Sequence, residues 1–155
     1  MVRKTIFLTK IEKKMQDFFT SEKKNDASLF ERITQLCDGL TYMSETDAPI
    51  TAFAGTQASD VNAAVLADVA GISRDVPVEE ITLARFFDRL TTIQDWFGER
   101  EKENAKKFSE LKTLLEEDLR DLKVFRFGSV QIDIIVAGTD QNGNVAGIRT
   151  FAVET

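Results

Sequence analysis

The last fifth of the chain constrains the fold most. "KVFRFG", "VQIDIIVAG" and "VAGIRTFAV" alternate apolar with polar residues or run apolar, as strands do. Asn142-Gly143 sits between the last two and is a strong hairpin signal. These segments predict a β-meander. The final "GIRTFAVET" reads as a strand to its end, with Ile148, Phe151 and Val153 still apolar, Phe151 and Val153 expected to anchor it, and Thr155 held just beyond.

Helices precede the meander. "EREKENAKKFSELKTLLEEDLRDL" is the clearest, with Ala105, Phe108, Leu111, Leu115, Leu119 and Leu122 in one stripe and charges over the rest. A helix opens at Ser28, which has capping-box spacing to Glu31, and runs to about Cys37 or Asp38, where Gly39 ends it. "DVNAAVLADVAGI" predicts a helix capped by Asp60 and ended near Gly71. "TLARFFDRL" predicts one capped by Thr82, with Leu83, Phe86, Phe87 and Leu90 inward. "LTYMSETDAP" reads as a turn-rich link, "ITAFA" as a strand with Pro49 at its edge, "VPVEEITL" as extended and "TTIQDWFGE" as a connection. A helix-rich chain ending in a meander predicts an α+β fold, with helices on both faces of a mostly antiparallel sheet. Residues 5–19 read as an extra N-terminal amphipathic helix, with Ile6, Phe7, Ile11, Met15, Phe18 and Phe19 roughly on one side. The expected organisation is a helical extension over 1–27 and one domain over 28–155.

The 155 residues suffice for one domain with a real core. No apolar run reaches the roughly 20 residues of a spanning helix, and the apolar patch of the N-terminus is too short for a signal peptide, so the chain reads as cytoplasmic. The single cysteine, Cys37, excludes an internal disulfide framework. Its helical spacing from Ile33 predicts a buried small hydrophobe. There is no histidine, which removes the commonest general base and metal ligand and every nucleophile that needs one. "DQNGNVAG" alternates Asp140, Asn142 and Asn144 like a calcium loop. Its glycine is fourth rather than sixth, however, and Phe151 stands where a bidentate glutamate is required, so it reads as a turn. Glu45 and Asp47 lie in one loop and Asp95 and Glu99 in another, and two acids from different loops, Glu45 and Asp95, could in principle serve as acid and base, but among 26 acidic residues such pairs arise by chance. The chain reads as a non-enzyme.

Charge is uneven. Residues 1–24 hold seven Lys or Arg against three Asp or Glu, so with a chain net of −6 the remainder carries −10. Such a body repels nucleic-acid phosphates, yet suits a protein whose own surface is built to hold phosphates. Trp96, the one tryptophan, lies in a polar connection. It is either a lid over the core beside Phe97 or a contact residue of the kind enriched at hot spots.

The blocks "CDGLTYMSETDAP", "FFDRLTTIQDWF", "VFRFGSVQIDIIVAG" and "GNVAGIRTFAVET" resemble the nuclease A inhibitor family, small acidic proteins that block sugar-non-specific DNA/RNA endonucleases. The resemblance runs from about Ser28 to Thr155. It implies an α/β/α sandwich and a partner-binding set of Glu45 in the "MSE" loop, Gln94 and Trp96 in the "QDW" loop, and Thr155. It further implies that Thr155 reaches the catalytic Mg²⁺ of the nuclease, with no cofactor held by the inhibitor itself. Mg²⁺ prefers hard oxygen ligands, which the carboxylate and hydroxyl of Thr155 would supply. Glu45 would then pair with a basic residue of the nuclease, and Gln94 and Trp96 would add area and orientation. The other expectation is a non-enzymatic protein-binding module of the same fold with a non-nuclease partner. Neither reading involves a membrane.

Overall fold

A capping box at Ser28 opens a helix. The Glu31 amide donates to Ser28 Oγ at 3.1 Å and the Ser28 amide donates to Glu31 Oε1 at 3.1 Å, so two amides that a helix start leaves without partners are satisfied reciprocally. The structure, a computed structural model, describes residues 28–155; the expected helix over 5–19 and the extension over 1–27 lie outside them. Helix α1 spans Leu29–Cys37 and buries Ile33 and Cys37. Gly39 follows it at φ +79°, a left-handed position that glycine takes without penalty.

The expected link "LTYMSETDAP" is instead a small hairpin. Strands β1 (Thr41–Met43) and β2 (Asp47–Pro49) pair antiparallel, with Tyr42 opposite Ala48 and Met43 opposite Asp47. Tyr42 and Ala48 point inward and are buried, while their neighbours face out. Three residues per strand are too few for a period-2 pattern to stand out, and tertiary packing makes the pairing. Strand β3 covers Thr51–Gln57, later and longer than expected.

Helix α2 (Ala63–Ala70) is capped by Asn62, not by Asp60. The Val65 amide donates to Asn62 Oδ1 at 2.9 Å, and Asp60 Oδ2 accepts from Asn62 Nδ2 at 2.9 Å. Asp60 steadies the cap one step removed. Strand β4 (Val78–Ile81) and helix α3 (Leu83–Thr91) follow, and Thr82 caps α3 as expected, accepting from the Arg85 amide at 3.0 Å. Helix α4 runs Glu99–Asp118 and buries Ala105, Phe108, Leu111, Leu114 and Leu115. It stops before Leu122, which belongs to β5 (Arg120–Phe127). Asp121 sits at φ +56° and the register slips between Arg120 and Lys123, so this strand begins on a bulge that hides its period.

Strands β6 (Gln131–Thr139) and β7 (Asn144–Val153) complete the meander. Their turn is an Asx turn. Asp140 Oδ1 accepts from the Asn142 and Asn144 amides at 2.8 and 2.9 Å, and Gly143 takes φ +83°. The five-stranded sheet has the order β3-β7-β6-β5-β4, antiparallel throughout. The class is therefore α+β. Alternate residues of β6 feed two separate cores. Ile132, Ile134 and Val136 pack with Ile33, Phe87, Leu111 and Leu115, from α1, α3 and α4. Ile135 and Ala137 pack with Val61, Leu66 and Ala67, from α2 and its approach. Successive side chains of a strand point to opposite faces, so both faces carry helices. Each fully buried large aliphatic side chain contributes roughly 1.5–3 kcal/mol. Among the described residues no helix is long and apolar enough to cross a membrane.

Candidate functional site

The hairpin packs on the end of β7, and two hydrogen bonds fix their relation. The Val153 amide donates to Ser44 Oγ at 3.0 Å, and the Glu45 amide donates to the Val153 carbonyl at 3.3 Å. Ser44 also closes its own turn, with its amide on the Thr46 carbonyl at 3.0 Å. Glu45 thereby stands beside the residues that follow β7. Thr155 meets it twice: its amide donates to Glu45 Oε2 at 2.6 Å, and its hydroxyl to Oε1 at 2.9 Å, with Oε2 at 3.2 Å. These partners are 110 residues apart in sequence. The Thr155 amide, and then its hydroxyl, hold the Glu45 carboxyl below the usual carboxylate range, against a smaller opposing effect of burial.

Glu154 is held as well. Its amide donates to the Val130 carbonyl at 2.9 Å and its carboxylate accepts from Arg126 Nη2 at 2.7 Å. Arg126 Nε lies 3.5 Å from Glu79, whose other oxygen lies 3.5 Å from Arg85. The side chain of Arg126 is only 15% exposed. What anchors the strand differs from expectation. Phe151 is 42% exposed, whereas Thr150 and Ala152 are buried, and Thr150 Oγ1 donates to the Pro49 carbonyl at 3.0 Å. The register turns Phe151 outward.

Gln94 and Trp96 lie in the connection between α3 and α4. The Phe97 amide donates to the Gln94 carbonyl at 3.1 Å, which folds the loop tightly. Trp96 is 75% exposed and meets the Phe97 ring edge-on at 4.7 Å. That exposure is not that of a lid over the core. A groove of about 440 Å³ is lined by Met43 of β1, by Gln94, Trp96 and Phe97 of this loop, and by Ala105 and Phe108 of α4. Arg89 ties α3 to the hairpin: its Nη2 donates to the Met43 carbonyl at 3.2 Å and its guanidinium lies 5.3 Å from the centre of the Tyr42 ring. Tyr42 in turn stacks on Phe86.

The structure thus brings Glu45 and Thr155 into contact and sets Gln94 and Trp96 together in the lining of the groove. Met43, two residues before Glu45, belongs to the groove wall. Sequence reading missed Met43, Ser44, Arg89 and Arg126. A serine before a turn, and a charged residue amid an apolar strand, were the available signals. Glu45 and Asp95 are both exposed, and Glu45 is shifted down rather than up, opposite to what an acid–base pair at neutral pH requires. Cys37 is buried, and that burial pushes its thiol up to about 12 against a smaller pull from Lys107. Among the described residues, no three or more Cys, Asp or Glu side chains gather where they could hold a metal ion.

Residues 27–155 match the family model described as nuclease A inhibitor-like protein. No curated protein matches the chain at a significant level.

Proposed function

The chain belongs to the nuclease A inhibitor-like family, and we propose on that basis that it inhibits a sugar-non-specific, Mg²⁺-dependent nuclease by occupying its active site. The observation that carries this reading is the double hold of Glu45 on Thr155. A hydroxyl that donates its proton to a carboxylate becomes a better electron-pair donor, because charge-assisted hydrogen bonds polarise the O–H. Glu45 acts as a positioning residue, and the Thr155 oxygen is the group offered to the partner.

Mg²⁺ demands near-octahedral oxygen coordination and commonly keeps open positions for a substrate phosphate. Glu45 and Thr155 supply too few oxygens for a resident site. They fit the role of adding a ligand to a metal that the nuclease already holds. In the nuclease that metal polarises a phosphate oxygen; in the complex Thr155 would stand where the phosphate binds. Gln94 and the exposed Trp96 supply contact area and orientation. The chain does no chemistry of its own in this reading, and its acidic body does not hold nucleic acid.

Degradation of plasmid DNA and of RNA by such a nuclease, with and without the protein at clear molar excess, tests the reading. Thr155→Val, which keeps the size and deletes the hydroxyl, should weaken inhibition about thirtyfold, the scale of a hot-spot residue. Residues appended after Thr155 should weaken it as strongly. Full inhibition by both forms would remove Thr155 from the mechanism.

A further inference from the structure

We infer that Arg126 is a positioning residue for Thr155, acting on it through the carboxylate of Glu154. The inference rests on the inhibitor reading above, in which Thr155 must reach the partner in a fixed posture. Strand β7 ends at Val153, opposite Gln131 of β6. Glu154 and Thr155 lie beyond that ladder and need other holds. Glu154 has two: its amide donates to the Val130 carbonyl at 2.9 Å, and its carboxylate accepts from Arg126 Nη2 at 2.7 Å. Thr155 has Glu45. Arg126 belongs to β5 and Glu45 to the hairpin, so two successive residues are gripped from separate elements. Fixing Glu154 by both its amide and its side chain sets the direction in which the chain delivers Thr155. A group already ordered in its bound posture loses less freedom on association.

The place of Arg126 in the sheet favours this role over a stabilising one. Its register partners are Glu79 on β4 and Ile134 on β6. Residues directly opposite share a face. Ile134, and Val124 two residues before Arg126, belong to the core packed by α1, α3 and α4. The strand period therefore calls for an apolar side chain at position 126. The guanidinium that stands there is 15% exposed, and burial works against its charge. The Glu154 hydrogen bond and charge, helped by Tyr42 and Glu79, outweigh that burial and hold its pKa above the usual arginine value. Glu79 is the looser partner, 3.5 Å from Nε. A charge pair on a core face contributes little net stability, since apolar residues of similar size serve as well. What this charge secures is the residue before Thr155.

The test compares the full chain with Arg126→Met, Glu154→Ala and the double variant. Three quantities are measured: inhibition of a sugar-non-specific nuclease, the thermal midpoint, and the amide order parameters of Glu154 and Thr155 from NMR relaxation. Met keeps the apolar stem, and the carboxylates it releases are already 48% and 54% exposed, so the midpoint should hold. Each single variant should lower the order parameters of Glu154 and Thr155 while those of β7 stay at sheet values. Each should raise the inhibition constant about tenfold, the loss of one charge-assisted hydrogen bond. The double variant should be no worse than the weaker single one, because the two residues act through each other. Net charge cannot mimic this pattern. Arg126→Met makes the chain more acidic and Glu154→Ala less, so steering toward a basic partner would move them in opposite directions. Opposite directions overturn the inference, as do order parameters that Arg126→Met leaves unchanged. If Arg126→Met folds poorly, Glu154→Ala decides, and an unchanged terminus in that variant overturns the inference. If the terminus loosens in both while inhibition stays at parent strength, the inference is overturned, and a loss in Thr155→Val keeps the inhibitor reading. A parent that inhibits no such nuclease overturns both.

Discussion

A carboxylate that accepts an amide and a hydroxyl from one residue binds that residue only while it is charged. Glu45 is in that position, and its folded-state pKa lies below the ordinary value of about 4.3. Because the shift is downward, the hold on Thr155 is complete above the ordinary value and is lost as pH falls through the lowered one. The Thr155 amide resonance should therefore titrate with an apparent pKa below the ordinary carboxylate range and stay constant near neutral pH. Glu45→Gln should abolish that titration and weaken inhibition, on the order of tenfold for one charge-assisted hydrogen bond, with little change in melting because both residues are exposed. An unchanged titration in Glu45→Gln would mean that another group is being observed. At this scale the motifs pointed to Glu45, Gln94, Trp96 and Thr155 singly. They could not say that Glu45 grips Thr155, because no periodicity spans 110 residues. The burial of Cys37 was legible from its helical spacing to Ile33, and with the thiol pushed to about 12 it should resist alkylation at pH 8 until the protein is unfolded.

Elements with strong local signals were readable, and those made by packing were not. The capping box at Ser28, the Thr82 cap and the Asn142-Gly143 turn are local chemistry, and each forms where the residues call for it. The β1–β2 hairpin depends on Tyr42 and Ala48 finding the core, which a three-residue alternation does not announce. For α2, both Asp60 and Asn62 are good capping types, and only the backbone decides between them. Asn62→Ala should cost about 1 kcal/mol by chemical denaturation. Asp60→Ala should cost less, since Asp60 only steadies Asn62 and lies 3.9 Å from Lys123 in an exposed pair. The reverse order would restore Asp60 as the cap. Gly147 sets a firmer requirement. A Cβ there would lie 1.9 Å from the Val136 carbonyl oxygen and 2.8 Å from Ala137 Cα, both backbone atoms of β6. Backbone in the middle of a five-stranded sheet cannot yield without breaking the β6–β7 ladder, which ends at Val153, two residues before Thr155. Gly147→Ala should therefore destabilise by about 3 kcal/mol or more, read as a shifted denaturation midpoint with inhibition lost only as the fold is lost.

The whole molecule combines an apolar, tightly packed sheet with a body whose charge far exceeds what its ion pairs use. The pairs at Arg74–Asp68 and Arg85–Glu79 are solvent-exposed, and such pairs add little stability. The surplus acid is therefore better read through association than through folding. The excess of −10 over residues 25–155 was plain from composition, but its placement was not, because that depends on which loops the fold brings beside the groove. The rate of complex formation with a basic nuclease should fall about tenfold or more as salt rises from about 20 to 300 mM, while the dissociation rate changes little. Position then separates steering from bulk charge. Asp47 pairs with Met43 and Asp95 lies between Gln94 and Trp96, whereas Glu116 and Glu117 lie near the end of α4. At about 1.5 Å rise per residue the latter pair is roughly 12–14 Å along the helix from Phe108, the groove-lining residue of α4 nearest to them, beyond a Debye length of about 10 Å at 0.1 M salt. Asp47→Asn with Asp95→Asn should thus flatten the salt dependence of association more than Glu116→Gln with Glu117→Gln, although both double variants remove the same net charge. Equal slopes in stopped-flow measurements would show that the partner senses only total charge, and Asp47 and Asp95 would then have no part in choosing it.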